Sequence, residues 1–379
     1  MTTREESRYF SVPIELVTTG KPITYDLWIN SSSRQNRVHY VRIFKEGGAL
    51  SFEDLQGFKK KYFQLYVHED HRDKYTKSLV ASETATDEEK TEVVKDMAIN
   101  YLGKVFDPGR EFTTEVLEEA IEGCRESVEH MVDVVKDYDI NELRSLIGNL
   151  SFHDFYTYDH SVNVSMYAII IFKALMPNAR KDELTLAGLS GMLHDIGKLK
   201  IPTDLINKAG KLDDDEFKVI QTHPGLGKEL IECQNADCPG IDFDIIKRVV
   251  YEHHENYNGT GYPNKIAGDE IHILARIVAI ADFFDAITTK RSYHEVLSTP
   301  DALAVMDRTK GKKLDPKIFD TFSSTVNNFG TGHINMGLPD SFDPCQPQNE
   351  LPFVKDKAKK QNHDLFQKEN TYGKVKKAS

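Results

Sequence analysis

Two adjacent pairs of side chains constrain this chain more than any other feature: His194-Asp195 and His253-His254. Each closes a run with helical apolar spacing, residues 184–193 and 245–251. A carboxylate beside an imidazole at a buried helix end is costly unless something pairs with it. Three more groups fall in similar settings: His160 after a Tyr-Thr-Tyr-Asp run, His223 before Pro224, and Asp282 closing the apolar run 277–281. A lone histidine is usually a satisfied core or surface residue, and a lone aspartate in an apolar run is often a buried cap. Seven such groups in one helical stretch are harder to place that way.

Five imidazoles and two carboxylates are enough for two octahedral metal ions, with Asp195 able to bridge. Nitrogen and oxygen donors without thiolate favour Fe, Mn or a similar ion over a structural zinc site. Two ions about 3.5–4 Å apart can activate water and clamp both oxygens of an in-line phosphoryl displacement. The residues therefore point to metal-assisted hydrolysis of a phosphate ester.

The rest of the chain sets that site in context. Residues 1–82 read as a small α+β domain of regulatory or sensory type. Residues 25–29 and 38–43 alternate as half-buried strands around a polar turn, residues 51–61 read as a helix, and residues 65–67 return as a strand. Residues 83–142 form an acidic helical linker. Thr86 and Glu89 have capping-box spacing, and a second helix starts near Thr113 or Thr114 after the Asp107-Pro108-Gly109 break. That helix carries Leu117, Ile121, Cys124, Val128, Met131 and Val135, a heptad seam. Packing within its own chain and pairing with a twin in a homodimer both stay open.

Residues 143–330 are a run of helices with almost no strand signal. Residues 331–379 are a C-terminal extension, disordered at its end, where residues 351–379 hold eight lysines and three acidic residues. The fold class is mainly α: an all-helical metallohydrolase domain behind a small α+β domain and a helical linker.

Charge and composition exclude several classes. The formal net charge is −12, and residues 83–142 carry all of that excess, with 18 acidic and 6 basic side chains. A wrapper of duplex DNA or RNA would show a basic excess instead. The longest apolar run, residues 166–172, is far short of the roughly 18–20 residues a membrane span needs. No apolar leader opens the chain, and its four cysteines are scattered, although Cys233 and Cys238 are close enough for a clip. The expected compartment is the cytoplasm.

Five blocks, in order, resemble the HD-GYP subgroup of the HD metal-dependent phosphohydrolases. They are Tyr156-Thr157-x-x-His160-Ser161; His194-Asp195-Ile196-Gly197-Lys198; His223-Pro224-x-x-Gly227; His253-His254-Glu255-x-x-Asn258-Gly259-x-Gly261-Tyr262-Pro263; and Ala281-Asp282-x-x-Asp285-Ala286-Ile287-Thr288-x-x-Arg291-x-Tyr293. The resemblance covers roughly half the chain. It implies an enzyme that hydrolyses cyclic di-GMP to pGpG or onward to GMP.

By similarity, His160, His194, Asp195 and Asp282 would hold one metal, and His223, His253 and His254 the second, with Asp195 bridging. Lys198 would meet a phosphate oxygen, Asp154 would orient the attacking water, and Arg291 would contact phosphate or guanine. Tyr262 would wall the site, on a loop that in some members docks diguanylate cyclase (GGDEF) domains.

Two positions depart from the family. Members with three metals carry Glu where Tyr156 stands, so the resemblance implies two. His294, with Ser292, stands where Lys or Arg and Pro are common. That leaves open a mixed cyclic GMP–AMP as substrate, or a receptor or adaptor without turnover.

Overall fold

The computed structural model describes residues 8–31, 39–82, 85–106, 113–136, 138, 157–206, 208, 212–232, 241–289 and 297–326. Two compact units divide at Val94/Lys95. Asp154, Tyr156, Arg291, Ser292, His294, Cys233, Cys238 and the Lys-rich tail lie outside the described residues, as does the Asp107-Pro108-Gly109 break. The thiol of Cys124 is free and buried.

The first unit is built on a four-stranded antiparallel sheet. Its strands are β1 (Tyr9–Val12), β2 (Leu27–Asn30), β3 (Tyr40–Phe44) and β4 (Leu65–His68), in the order β1-β4-β2-β3. Helices α1 (Phe52–Lys61) and α2 (Arg72–Val80) complete it. Strands β2, β3 and β4 and helix α1 fall where alternation and helical spacing put them. Strand β1 carries no such signal in four residues; it exists because Phe10 and Val12 bury against the same core as Leu27, Leu65 and Val67. The capping box of α1 is complete, with Ser51 Oγ accepting from Asp54 N at 3.0 Å and Ser51 N donating to Asp54 at 3.3 Å.

Helix α3 (Asp87–Phe106) begins with the expected box: Thr86 N donates to Glu89 Oε2 at 2.8 Å and Glu89 N to Thr86 Oγ1 at 3.2 Å. Helix α4 (Thr114–Val135) is capped by Thr113, whose Oγ1 accepts from Val116 N at 3.3 Å.

Among its described residues the second unit has helices and connecting loops and no β-strand. After α4 come α5 (Thr157–Leu175), α6 (Lys181–Leu193), a 3-10 turn (Ile196–Lys200), α7 (Thr203–Ile206), α8 (Asp214–Ile220), α9 (His223–Glu232), α10 (Phe243–Glu252), α11 (Ile273–Thr288), α12 (Thr299–Asp307) and α13 (Pro316–Val326). Residues 162–171 of α5 and nearly all of α11 are buried, which puts these two helices at the centre. Helix α5 packs against α6, α11 and α13, and α6 packs against α4, α10 and α11.

The heptad seam is closed within this unit. All six seam side chains are at most 2% exposed, and α4 packs on α6 and α5. Val128 Cγ1 would stand 2.6 Å from a Cβ placed at Gly188 of α6. The seam side chains are therefore buried in the core of this unit. Spacing alone cannot separate the two outcomes, because a helix burying a stripe in its own chain and one burying it in a twin carry the same pattern.

Candidate metal centre

Helix ends bring the expected ligands together. His160 lies in the first turn of α5, and His194 and Asp195 follow α6 directly. His223 opens α9, His253 and His254 follow α10, and Asp282 projects from the middle of α11. Gly197 lets the turn after Asp195 close on α9, since a Cβ there would fall 1.9 Å from the carbonyl of His223. All seven side chains are buried. Two sets have their donor atoms within 4.8 Å of one another: Asp195, His223, His253 and His254; and His160, His194 and Asp282.

Asp195 reaches both sets. Its Oδ2 lies 3.3 Å from His194 Nε2 and 3.9 Å from His160 Nε2, and its Oδ1 lies 3.3 Å from His223 Nε2 and 3.9 Å from His253 Nε2. Asp282 Oδ1 lies 3.2 Å from His160 Nε2. Lys198 Nζ donates to Asp195 Oδ2 from the partly open side of the cluster.

The hydrogen bonds behind the imidazoles show what the front atoms are for. His194, His223 and His253 each direct Nδ1 at the carbonyl three residues earlier, that of Gly191, Ile220 or Val250, at 2.7, 2.7 and 2.8 Å. A carbonyl only accepts, so each Nδ1 carries the proton and Nε2 faces the cluster. Burial pushes His223 down to about 4. Burial, with His194 and His223 adding to it, pushes His253 down to about 3. Both rings are then neutral, and their bare Nε2 lone pairs face each other at 3.2 Å.

Such an arrangement has no proton to share, and a cation between the nitrogens resolves it. His194 Nε2 and Asp195 Oδ1 are likewise buried without a hydrogen-bond partner, a cost of about 1–3 kcal/mol for each such group. Burial opposes ionisation of Asp195, yet Lys198 and His194 hold its carboxyl well below the usual range. The donor set fits divalent ions with nitrogen and oxygen preferences.

Two residues of the motif blocks have structural jobs that the sequence reading left unassigned. Asp285, wholly buried one turn beyond Asp282, faces His160 Nδ1 at 2.7 Å and accepts from Asn163 Nδ2 at 2.9 Å and Thr289 Oγ1 at 2.8 Å. Glu255 accepts from the backbone of Asn264 and of Lys265, the latter at 2.9 Å, and so holds the following loop. The available signal was a carboxylate at helical spacing in an apolar run for Asp285, and one next to the His pair for Glu255.

Residues 150–318 match the family model described as HD domain. The match takes in helices α5 to α12 and all seven candidate ligands. A cyclic di-GMP phosphodiesterase of Pseudomonas aeruginosa is 38% identical over 194 residues, covering 51% of this chain and 44% of that protein. A 3'3'-cGAMP-specific phosphodiesterase of Vibrio cholerae is 34% identical over 173 residues, covering 45% and 36%. A cyclic di-GMP phosphodiesterase response regulator of Xanthomonas campestris pv. campestris is 37% identical over 141 residues, covering 37% and 36%.

The chain thus spans less than half the length of these curated relatives. The solved structure of an HDG"Y"P protein from Bdellovibrio bacteriovorus shares the fold of the chain at a TM-score of 0.51 and 17% identity, covering 83% of this chain and 98% of that one. The five motif blocks all fall inside the residues that match the HD domain model.

Proposed function

We propose that the HD domain hydrolyses a phosphodiester bond of a cyclic dinucleotide, with cyclic di-GMP cut to pGpG, to GMP or to both. The observation that supports this most is Asp195, whose two oxygens face two separate sets of imidazoles. Two divalent ions, Fe or Mn, would be held by His160, His194, Asp195 and Asp282 and by His223, His253, His254 and Asp195. Bound there, they would activate water and neutralise the phosphate.

The chain's own residues do the rest. The Nδ1–carbonyl bonds hold His194, His223 and His253 in one tautomer, so these three rings need no reorganisation on loading. Lys198, 25% exposed beside the buried carboxylate, is placed to meet a non-bridging phosphate oxygen as a point charge. Asp154 would orient the water, Arg291 would hold phosphate or guanine, and Tyr262 would wall the site.

Among the described residues no helix is long and apolar enough to cross a membrane. We place the protein in the cytoplasm, with a GGDEF-domain protein as a candidate partner at the loop around Tyr262. The test is turnover of cyclic di-GMP by protein loaded with Fe²⁺ or Mn²⁺ under reducing conditions. Release of pGpG or GMP is expected; binding without release would make the protein a receptor.

A second reading has its own support: a relative named as 3'3'-cGAMP-specific is nearly as similar as the cyclic di-GMP enzymes. A panel of cyclic di-GMP, 3'3'-cGAMP and cyclic di-AMP separates the two by relative kcat/KM.

A further inference from the structure

One ligand is held differently from the others. His194, His223 and His253 have a backbone carbonyl behind Nδ1, and His160 has Asp285. The Nδ1 of His254 is buried with no hydrogen-bond partner. No hydrogen bond reaches that nitrogen. Three rings pack on it: His253 at 4.1 Å and His223 at 4.9 Å between centroids, and Tyr262, the ring brought by the loop, which stacks at 4.8 Å with planes inclined by 23°.

Three backbone features press that tyrosine into place. Tyr262 N donates to the carbonyl of His254 at 3.2 Å. Gly261 lies so close to the same segment that a Cβ there would fall 2.2 Å from Asn256 N and 2.5 Å from the His254 carbonyl. Glu255, the residue after His254, accepts from the backbone of both Asn264 and Lys265. Loop 255–265 is thus folded back onto His254 from both ends.

We propose that Tyr262 is a positioning residue for His254, so that closure of this loop and loading of the His223–His253–His254 set are one coupled event. The proposal rests on the two-metal reading above and adds to it. A carbonyl-anchored imidazole keeps its direction whatever the loop does. His254 loses one of its supporting rings when the loop carries Tyr262 away. By thermodynamic reciprocity, a cation on the second set must tighten the loop as much as the loop tightens the cation. A partner or ligand that draws Tyr262 away would unload that set and leave His160, His194 and Asp282 intact.

The experiment is Mn²⁺ titration of the full chain after chelation, read as ions bound per chain and the affinity of each, with no nucleotide present. Wild type should bind two ions. Tyr262→Phe keeps the ring and should also bind two. Tyr262→Leu should bind one with wild-type affinity and the other about 10–100-fold more weakly, the usual cost of losing a ligand's support. In a His254→Ala background, Tyr262→Leu should add no further loss.

Unchanged affinities in Tyr262→Leu, an additive loss in the double variant, or a loss in Tyr262→Phe as large as in Tyr262→Leu would each overturn the proposal. Fewer than two ions on wild type would instead sink the two-metal reading beneath it. Should Tyr262→Leu fail to fold, hydrogen exchange of wild type decides. Mn²⁺ should slow exchange in residues 257–266, and equal exchange with and without Mn²⁺ would refute the coupling.

Discussion

The Nδ1 of His160 lies 2.7 Å from Oδ2 of Asp285, a carboxylate 125 positions further along the chain. The other nitrogen of the same ring lies 3.2 Å from Asp282. Burial disfavours a charged ring here, but the hydrogen bonds to Asp282 and Asp285 outweigh it and raise His160 to about 9. Without metal the ring is an imidazolium bracketed by two carboxylates. To serve as a ligand it must surrender the Nε2 proton and keep the Nδ1 proton, donated to Asp285.

Replacing Asp285 should therefore weaken metal binding at a position that touches no metal. Asp285→Asn keeps the size and removes the charge behind His160. A 10–100-fold loss of affinity at the His160 set is expected, about what the loss of such a supporting partner costs. Asp285→Ala also strands Asn163 and Thr289, and should lower the stability of the metal-free protein by about 1–3 kcal/mol. Metal titration and denaturant unfolding measure the two effects separately.

The stability of chelated protein should peak near neutral pH. His223 and His253 have lowered values, so below about 6.5 the unfolded chain takes up protons that the folded one refuses, and stability falls as pH drops. His160 is raised, so its contribution is complete below about 6.5 and is lost as pH climbs towards about 9. Metal should remove the alkaline decline, because it replaces the His160 Nε2 proton. Melting temperatures from pH 5 to 9, with and without Mn²⁺, test this; a metal-free curve that rises steadily to pH 9 contradicts it.

His194→Ala with Asp195→Ala should abolish retention of both ions, since Asp195 faces both sets. Far-ultraviolet dichroism should remain helical, because these residues lie at helix ends rather than inside them. Retained turnover in a chelator-washed and reloaded sample would refute the site.

Lys198→Ala should leave metal content near wild type and lower kcat by about 10²–10³-fold, the scale seen when a preorganised charge on a developing anion is removed. Lys198→Arg should recover part of it. Loss of metal in Lys198→Ala would reassign the side chain to holding Asp195.

Ile121→Asp with Val128→Asp should destabilise the chain by several kcal/mol without changing its mass in solution. Both side chains are fully buried within one chain, and an unpaired buried carboxylate is among the costliest substitutions. Light scattering paired with thermal melts separates this from disruption of a dimer.

Sequence by itself picked out the seven candidate donors, because ion-binding chemistry restricts donors to a few residue types and those types stood out against apolar helical runs. It also determined where α3 begins, since a cap is a contact between residues three apart, here Thr86 with Glu89. Only the tertiary structure decided the rest. A heptad stripe is the same whether α4 buries it against α6 or against a twin, so its partner had to be seen. The roles of Asp285 and Glu255 were hidden for a similar reason: a carboxylate's function lies in which donors face it. Those donors are His160 and Asn163, more than a hundred residues away, for Asp285, and the backbone of a loop folded back on itself for Glu255.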